Sequence, residues 1–417
     1  MKLVETHIIN ANHAHFDEVD QMCFKSKNLY NYANYLVRQM FINSTKQKEI
    51  GEVDHATYLG YQDIRRLVLS QADYIAMPRK VSNETLKQLD KCWIGFFRSI
   101  KDWSKNPHKY KGRPRLPGYK HKTKGRNVTI FDLQALSKKA LKNGKIKLSG
   151  TNIEVPFVNK DCKVNQARLI PINGEYKLEI IYEKTETING NINHEIKASI
   201  DLGLNNLMAL TYSSKGVQPL IVNGRPLKSM NQYYNKEKAR LQSILPQKPN
   251  KSYSSKQILR LTNKRNNKIK DYIHKATARI VDELINHHVG ELVIGLNSDW
   301  KQEINIGKKN NQNFVSIPFM MIINQLQYKC KLSGINVIVR EESYTSKTSF
   351  LDEEQVSKHE EYVGRRVKRG LFKSSGNRLI NADVNGSYNI MRKEFPEIFK
   401  YGIEGFAVNP EAVYCFV

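Results

Sequence analysis

Residues 1 to about 12 alternate apolar and polar positions in the manner of a short strand, and the pattern then shifts to a helical period. Leu29, Ala33, Leu36, Val37, Met40 and Phe41 share one helical face, and Ile64, Leu67 and Val68 begin a second. Leu86, Leu89, Trp93, Phe96, Phe97 and Ile100 form a third, with Ser82 placed to cap it. Aromatics at this spacing are more often core than base-stacking platforms, so they are assigned to the core. From Val128 to Tyr182 the apolar runs become short: Val128–Ile130, Ile146–Leu148, Ile153–Val155, Ala167–Ile170 and Lys177–Ile181. With a turn at Asn173-Gly174 they predict a small antiparallel β domain. If its first strand is the N-terminal segment, the helical region is an insertion within it.

A polar linker, Glu183 to Asn193, precedes a second pattern. Ala198–Leu202, Leu207–Tyr212 and Val217–Val222 read as a three-strand meander, followed by a lysine-rich helical stretch from Leu227 to about His288, interrupted near Pro246 and Pro249. Strand Glu291–Gly295, a helix from about Pro318 to Leu332, strand Ile335–Arg340 and a last helix near Asp383 complete the chain. Meander, helix, strand, helix, strand, helix is the order of an RNase H-like fold, although order alone allows other α/β folds.

Charge narrows the partners. The 417 residues hold 67 Lys and Arg against 40 Asp and Glu, a formal net charge of +27. Such an excess repels itself unless a polyanion is bound, which points to nucleic acid. No stretch reaches the roughly 20 apolar residues of a membrane span, and Met1 to Thr6 lacks a signal-peptide core, so the expected location is the cytoplasm, with nucleoid association. Residues 101–126 hold ten Lys or Arg against one Asp, with Trp103, Tyr110 and Tyr119 interleaved and Pro107, Pro114 and Pro117 bracing the loop. A basic run is usually a solvated surface. Basic residues with aromatics on a braced loop also suit a phosphate backbone, and Lys109, Lys111, Arg113, Arg115, Lys120, Lys122, Lys124 and Arg126 are the predicted contacts. The cysteines Cys23, Cys92, Cys162, Cys330 and Cys415 are scattered, without metal-ligand spacing, and are expected to be buried thiols.

One strand carries the candidate chemistry. In Ala198-Ser199-Ile200-Asp201-Leu202-Gly203 an apolar run holds a lone carboxylate, which taken alone reads most simply as a turn-starting Asp. Asp383, in Asn381-Ala382-Asp383-Val384-Asn385, stands where the final helix starts; an Asp stabilised by the helix dipole is its plain alternative. In an RNase H-like domain, carboxylates at neighbouring strand ends and on a helix packed over them can share two hard cations about 4 Å apart. The acid that should end the strand after the long helix is absent, because that position is Gly295. Glu342 is the predicted replacement, reaching from the next strand across a residue without a side chain; Glu341 is its alternate and Asp299 a weaker candidate.

Together the stretches IDLGLNNL at 200–207, HKATARIVDEL at 274–284, YTSKTS at 344–349 and NADVNGSYNI at 381–390 resemble the TnpB (OrfB) family of transposon-encoded, RNA-guided DNA nucleases, relatives of the type V CRISPR effectors. The resemblance implies an α+β multidomain fold. A RuvC (RNase H-like) α/β nuclease domain over 191–417 would follow an N-terminal lobe with a small β-barrel, 1–15 and 104–190, into which helices 16–103 are inserted. It implies DNA cleavage with two Mg²⁺ ions, a guide RNA from the transposon end and a double-stranded DNA target bearing a short adjacent motif. Asp201 and Asp383 match the first and third acids of the family's Asp-Glu-Asp site. The family commonly carries zinc-binding cysteines within 346–380, where this chain has Ser349, Asp352, Ser374 and Ser375, so no zinc is expected. Arg365, Arg366, Lys368 and Arg369 in that segment suit phosphate contact. Two rival readings stand beside an RNA-guided endonuclease: a guided DNA-binding repressor that no longer cuts, and an unguided RNase H-like nuclease.

Overall fold

The computed structural model describes residues 1–186, 191–246, 254–296 and 315–414. They form two compact units, Met1–Lys184 and Thr185–Val417. Asp299 and Cys415 lie outside the described residues.

In the first unit, β1 (Lys2–Ile9) precedes four helices, α1 (Phe16–Glu49), α2 (Tyr61–Leu67), α3 (Ala72–Ile75) and α4 (Arg79–Lys105). Then come β2 (Thr129–Asp132), α5 (Lys138–Lys142), β3 (Lys145–Lys147), β4 (Glu154–Pro156), β5 (Lys163–Ile172) and β6 (Glu175–Glu183). The N-terminal strand pairs antiparallel with β6, giving a four-stranded sheet in the order β1-β6-β5-β2. The β5–β6 hairpin turns at Asn173 and Gly174, both at positive φ, a conformation that Asn and Gly adopt most readily. Trp93 is fully buried between α1 and α4, its indole N–H donating to Asn34 Oδ1 at 3.1 Å, with Phe41, Phe96 and Phe97 packed around it. Ser82 does not cap α4. The helix starts at Arg79 after Pro78, and the buried Ser82 hydroxyl donates back to the Tyr74 carbonyl. The cysteine expectation is corrected too: Cys23 and Cys330 are buried, but Cys92 is exposed on the solvent face of α4 and Cys162 is half-buried.

The second unit is built on β7 (Asn193–Leu202), β8 (Asn206–Tyr212) and β9 (Leu220–Asn223), then helices α6 (Arg225–Ser243) and α7 (Lys256–Asn286). It continues with β10 (Val289–Gly295), α8 (Phe319–Leu332), β11 (Asn336–Arg340), the short strands β12 (Arg365–Lys368), β13 (Leu371–Lys373) and β14 (Leu379–Asn381), α9 (Ala382–Glu394) and β15 (Glu411–Val413). The main sheet runs β11-β10-β7-β8-β9-β15, with β7 central between its antiparallel neighbour β8 and its parallel neighbour β10. Strand β15, which the hydrophobic pattern did not mark, pairs parallel with β9 at the edge. Alternation along the strands separates two cores. Ile200, Leu202, Leu292 and Ile294 pack with α7 and α8, whereas Ala209 and Ile221 pack with α9 and the segment around Phe350 and Phe372. The residues between them in register, Ser199, Asp201 and Gly295, therefore face α9.

Candidate active site

The face of the sheet beneath α9 brings three acids together. Hydroxyls hold the helix there: Ser199 Oγ and Thr211 Oγ1 are 2.8 Å apart, Thr211 Oγ1 and Ser387 Oγ 2.9 Å, and Ser387 Oγ donates to the Ser199 carbonyl at 2.9 Å. All three side chains are buried, so each hydrogen bond satisfies a group that would otherwise be costly to leave dry. This lock sits two residues from Asp201 and four from Asp383. Close approach is possible because position 386 is glycine; a Cβ there would stand 2.7 Å from Asp201 Oδ2.

Gly295 leaves the space that Glu342 occupies. It lies one residue beyond the Ile294–Ile200 pair of the β10–β7 ladder, and its partner across β11 is Arg340. Past the end of β11, Glu342 folds back over it: a Cβ at 295 would meet Glu342 Oε2 at 2.3 Å, Ile390 Cδ1 at 2.5 Å and Glu342 Cβ at 3.2 Å. Any side chain on the strand here would take the space the carboxylate uses. Glu341 turns the other way. It is exposed, accepting from Lys393 Nζ at 2.6 Å and from the Ser343 N–H at 2.8 Å.

Asp201 and Glu342 are both harder to ionise than ordinary carboxyls. Burial, then the neighbouring Glu342 and Asp383 carboxylates, push Asp201 well above the usual carboxylate range, with Arg366 opposing. Burial and Glu341 raise Glu342 to about 7. Asp383 is oriented from both sides. Asn206 Nδ2 donates to its Oδ2, Arg366 stands 3.8 Å from its Oδ1, and the Asn381 side chain caps α9 by accepting from the Asp383 and Val384 N–H groups. Among the described residues no group of three or more His, Cys, Asp or Glu forms a ready-made metal cage. Asp201, disfavoured as an anion by burial and by the two neighbouring carboxylates, is nevertheless the kind of oxygen donor whose charge a hard divalent cation relieves.

A cavity of about 280 Å³ opens beside Asp383, lined among others by Asn205, Asn206, Arg225, Arg366 and Arg369. Arg366 and Arg369 were legible as charges. Arg225, at the start of α6, and the Asn205-Asn206 pair were not, since that pair read only as a turn. Arg365, Arg366, Lys368 and Arg369 are exposed on and beside β12.

The 346–380 segment is held without thiolates. Asp352 Oδ2 accepts from the Ser349 hydroxyl at 2.5 Å and from the Ser375 N–H at 3.0 Å, and Asp352 Oδ1 from the Ser375 hydroxyl at 2.6 Å. Glu354 accepts from the Ser349 N–H at 2.7 Å and the Val363 N–H at 3.0 Å. Burial alone would raise Asp352, but the bonds from Ser349, Ser375 and Gly376 outweigh it and hold the carboxyl below its ordinary range. A carboxyl depressed on folding stabilises the fold above its unfolded value, about 3.9, and that contribution is lost as pH falls through the folded value. Asp352→Asn should loosen this segment by about 1–3 kcal/mol, seen as faster hydrogen exchange at residues 363–380. The wild type should show the same loosening only on acidification below about pH 4.

In the basic loop of the first unit, Lys109, Lys111, Arg113, Arg115, Lys122 and Lys124 are exposed. Arg126 is not spare: it makes a two-pronged pair with Asp20, at 2.8 and 2.7 Å, and stacks over Phe24. Lys120 is half-buried over the Tyr30 ring. Lys27, Asn31, Asn34 and Arg38 of α1 donate to the carbonyls of Lys122, Lys120 and Pro117, so the loop is tied to that helix along much of its length.

Residues 179–301 match a family model described as a probable transposase, OrfB of the IS605 type, and residues 319–390 match the Cas12f1-like TNB domain. The chain is TnpB-like. Among solved structures, a Cas12f1 in complex with single-guide RNA and target DNA aligns with a TM-score of 0.51 at 15% identity, over 89% of this chain and 82% of that one. The mini-RNA-guided endonuclease CRISPR-Cas phi3 aligns with a TM-score of 0.46 at 9% identity, over 94% and 92% of the two chains. Comparison with curated protein sequences gave no match. The Cas12f1 likeness shows that this TnpB-like chain has a mixed α/β, multidomain Cas12f-like fold. No helix among the described residues is long and apolar enough to cross a membrane.

Proposed function

We propose that the chain is a transposon-associated, RNA-guided DNA endonuclease with Asp201, Glu342 and Asp383 as its acid set. The observation that carries this reading is Glu342 folded over Gly295 beside Asp201, where the strand's own acid is missing. The second unit is read as the nuclease domain. The first is read as a guide- and target-binding lobe, with its four-stranded sheet the barrel-like part and residues 16–103 the inserted helices. Two Mg²⁺ ions held by the three carboxylates would supply Lewis acidity and a water nucleophile for phosphodiester hydrolysis. Arg225, Arg366 and Arg369 are suited to take the non-bridging oxygens of a DNA phosphate, and Asn206 keeps Asp383 turned toward the cleft. Sequence choice would come from base pairing to the guide, with the protein reading a short adjacent duplex motif.

A second reading, a guided binder that does not cut, is favoured by Arg366, which stands 3.8 Å from Asp383 where a cation would otherwise balance it. One experiment separates the readings. The chain, expressed with its flanking DNA, is purified and its bound RNA sequenced; the complex is then given matching duplex DNA with Mg²⁺. A defined RNA and cleavage abolished by Asp201→Ala support the endonuclease. A defined RNA with target binding and no cleavage identifies the binder, and cleavage without bound RNA identifies an unguided nuclease.

A further inference from the structure

The helix pair α6–α7 carries a second cavity, of about 380 Å³, within the range of small-ligand sites. On α6 its wall is Met230, Tyr233 and Tyr234, spaced i, i+3 and i+4; on α7 it is Leu261, Lys264, Arg265 and Lys268, spaced i, i+3, i+4 and i+7. These spacings put two continuous helix faces opposite one another. The back of the groove is fixed. Arg265 donates to Asn231 Oδ1 and to the Ser316 carbonyl and lies 5.4 Å from the centre of the Tyr234 ring, while the Tyr234 hydroxyl stands 3.1 Å from Thr262 Oγ1. The mouth differs from the back: Tyr233 is 63% exposed, and Lys264 and Lys268 are exposed one turn apart.

A solvated helix hairpin normally mixes both signs of charge. Residues 256–270 instead carry Lys256, Arg260, Lys264, Arg265, Lys268 and Lys270 with no acid. A flat aromatic surface over an apolar floor, rimmed by cations alone, is complementary to a nucleobase with its phosphates. We infer that this groove seats a base of single-stranded nucleic acid, stacked on Tyr233 with the adjoining phosphates on Lys264 and Lys268. Its position ties it to the cleft. Arg225, which lines the acid-site cavity, is eight residues before Tyr233 on the same helix, about 12 Å along the axis. A strand anchored in the groove thus lies within a few nucleotides of the acids. That link to the cleft rests on the proposed function, but occupancy of the groove does not.

The test uses the full chain in EDTA at fixed salt, so that binding is read apart from cleavage. Fluorescent dT20, rU20 and a 20-base-pair duplex are titrated by anisotropy. Stacking is worth about 1–3 kcal/mol per base, so Tyr233→Ala should weaken binding of dT20 or rU20 by about 5- to 150-fold, whereas Tyr233→Phe, which keeps the ring, should bind as wild type. Lys264→Ala and Lys268→Ala should each reduce the salt slope by about one. An iodouracil-substituted strand should crosslink to Tyr233. The inference is overturned if Tyr233→Ala binds both single strands as wild type does, or loses duplex binding by the same factor. Cleavage failing while the groove binds would sink the nuclease reading alone.

Discussion

In the proposed RNA-guided endonuclease, alanine at position 295 will lower metal-dependent cleavage on the order of a hundredfold, the scale of a misplaced catalytic group, while leaving guide RNA bound. The smallest possible side chain there would stand 2.3 Å from Glu342 Oε2 and 2.5 Å from Ile390 Cδ1. Both contacts are with side-chain ends, so the cost lies in where those ends must go: Ile390 is buried on α9, and Glu342 must turn its carboxylate away from position 295. Overpacking of this kind costs about 1–3 kcal/mol, so thermal unfolding should fall modestly as well. To separate a fold effect from a site effect, Gly295→Ala is combined with Glu342→Ala. If Gly295 matters because it admits Glu342, the double variant cleaves no worse than Glu342→Ala alone, and the two losses fail to add. Additive losses would mean that position 295 acts through the fold.

The second large effect is an asymmetry between adjacent glutamates. Glu342→Gln removes one anion from the acid set and should cost several kcal/mol of transition-state stabilisation, or about a hundredfold or more in rate at roughly 1.4 kcal/mol per decade. Glu341→Gln should leave the rate unchanged and shift stability by no more than about 1 kcal/mol, because Glu341 is exposed and paired with Lys393. Single-turnover cleavage by the RNA-loaded chain reads both. The reverse ranking would transfer the role to Glu341. Equal, small effects would argue that the acids do not cut.

Much of the second unit's plan could be read from the chain. Apolar runs at strand length around Ile200, Leu210 and Ile294, with long helical stretches between, predicted the meander and the two further strands. The sheet order β11-β10-β7-β8-β9 is one that an RNase H-like fold takes, but the order of elements alone allowed others, so the structure decided it. Strand β15 escaped notice because three residues on a sheet edge carry too little pattern to register. Ser82 misled for a different reason: a hydroxyl near a helix start marks a cap only if it faces forward, and this one turns back to Tyr74. The basic loop was plain as charge. Which cations are spare was not, since Asp20, which takes Arg126, stands 106 residues away in the chain.

By itself the sequence showed a glycine, Gly295, where an acid was expected, and two glutamates, Glu341 and Glu342, beyond the next strand. Period-2 alternation assigns faces only while a strand lasts, and β11 ends at Arg340. Beyond it the backbone path, set by the turn at Ser343 and by Lys393 of α9, decides which glutamate crosses the sheet. Tertiary structure alone placed Glu342 over Gly295, brought Arg225 and Arg366 to one cavity, and used hydroxyls of Ser199, Thr211 and Ser387 to hold α9 above Asp201. Each of these depends on residues far apart in the chain meeting at short range, and local pattern carries no record of such meetings.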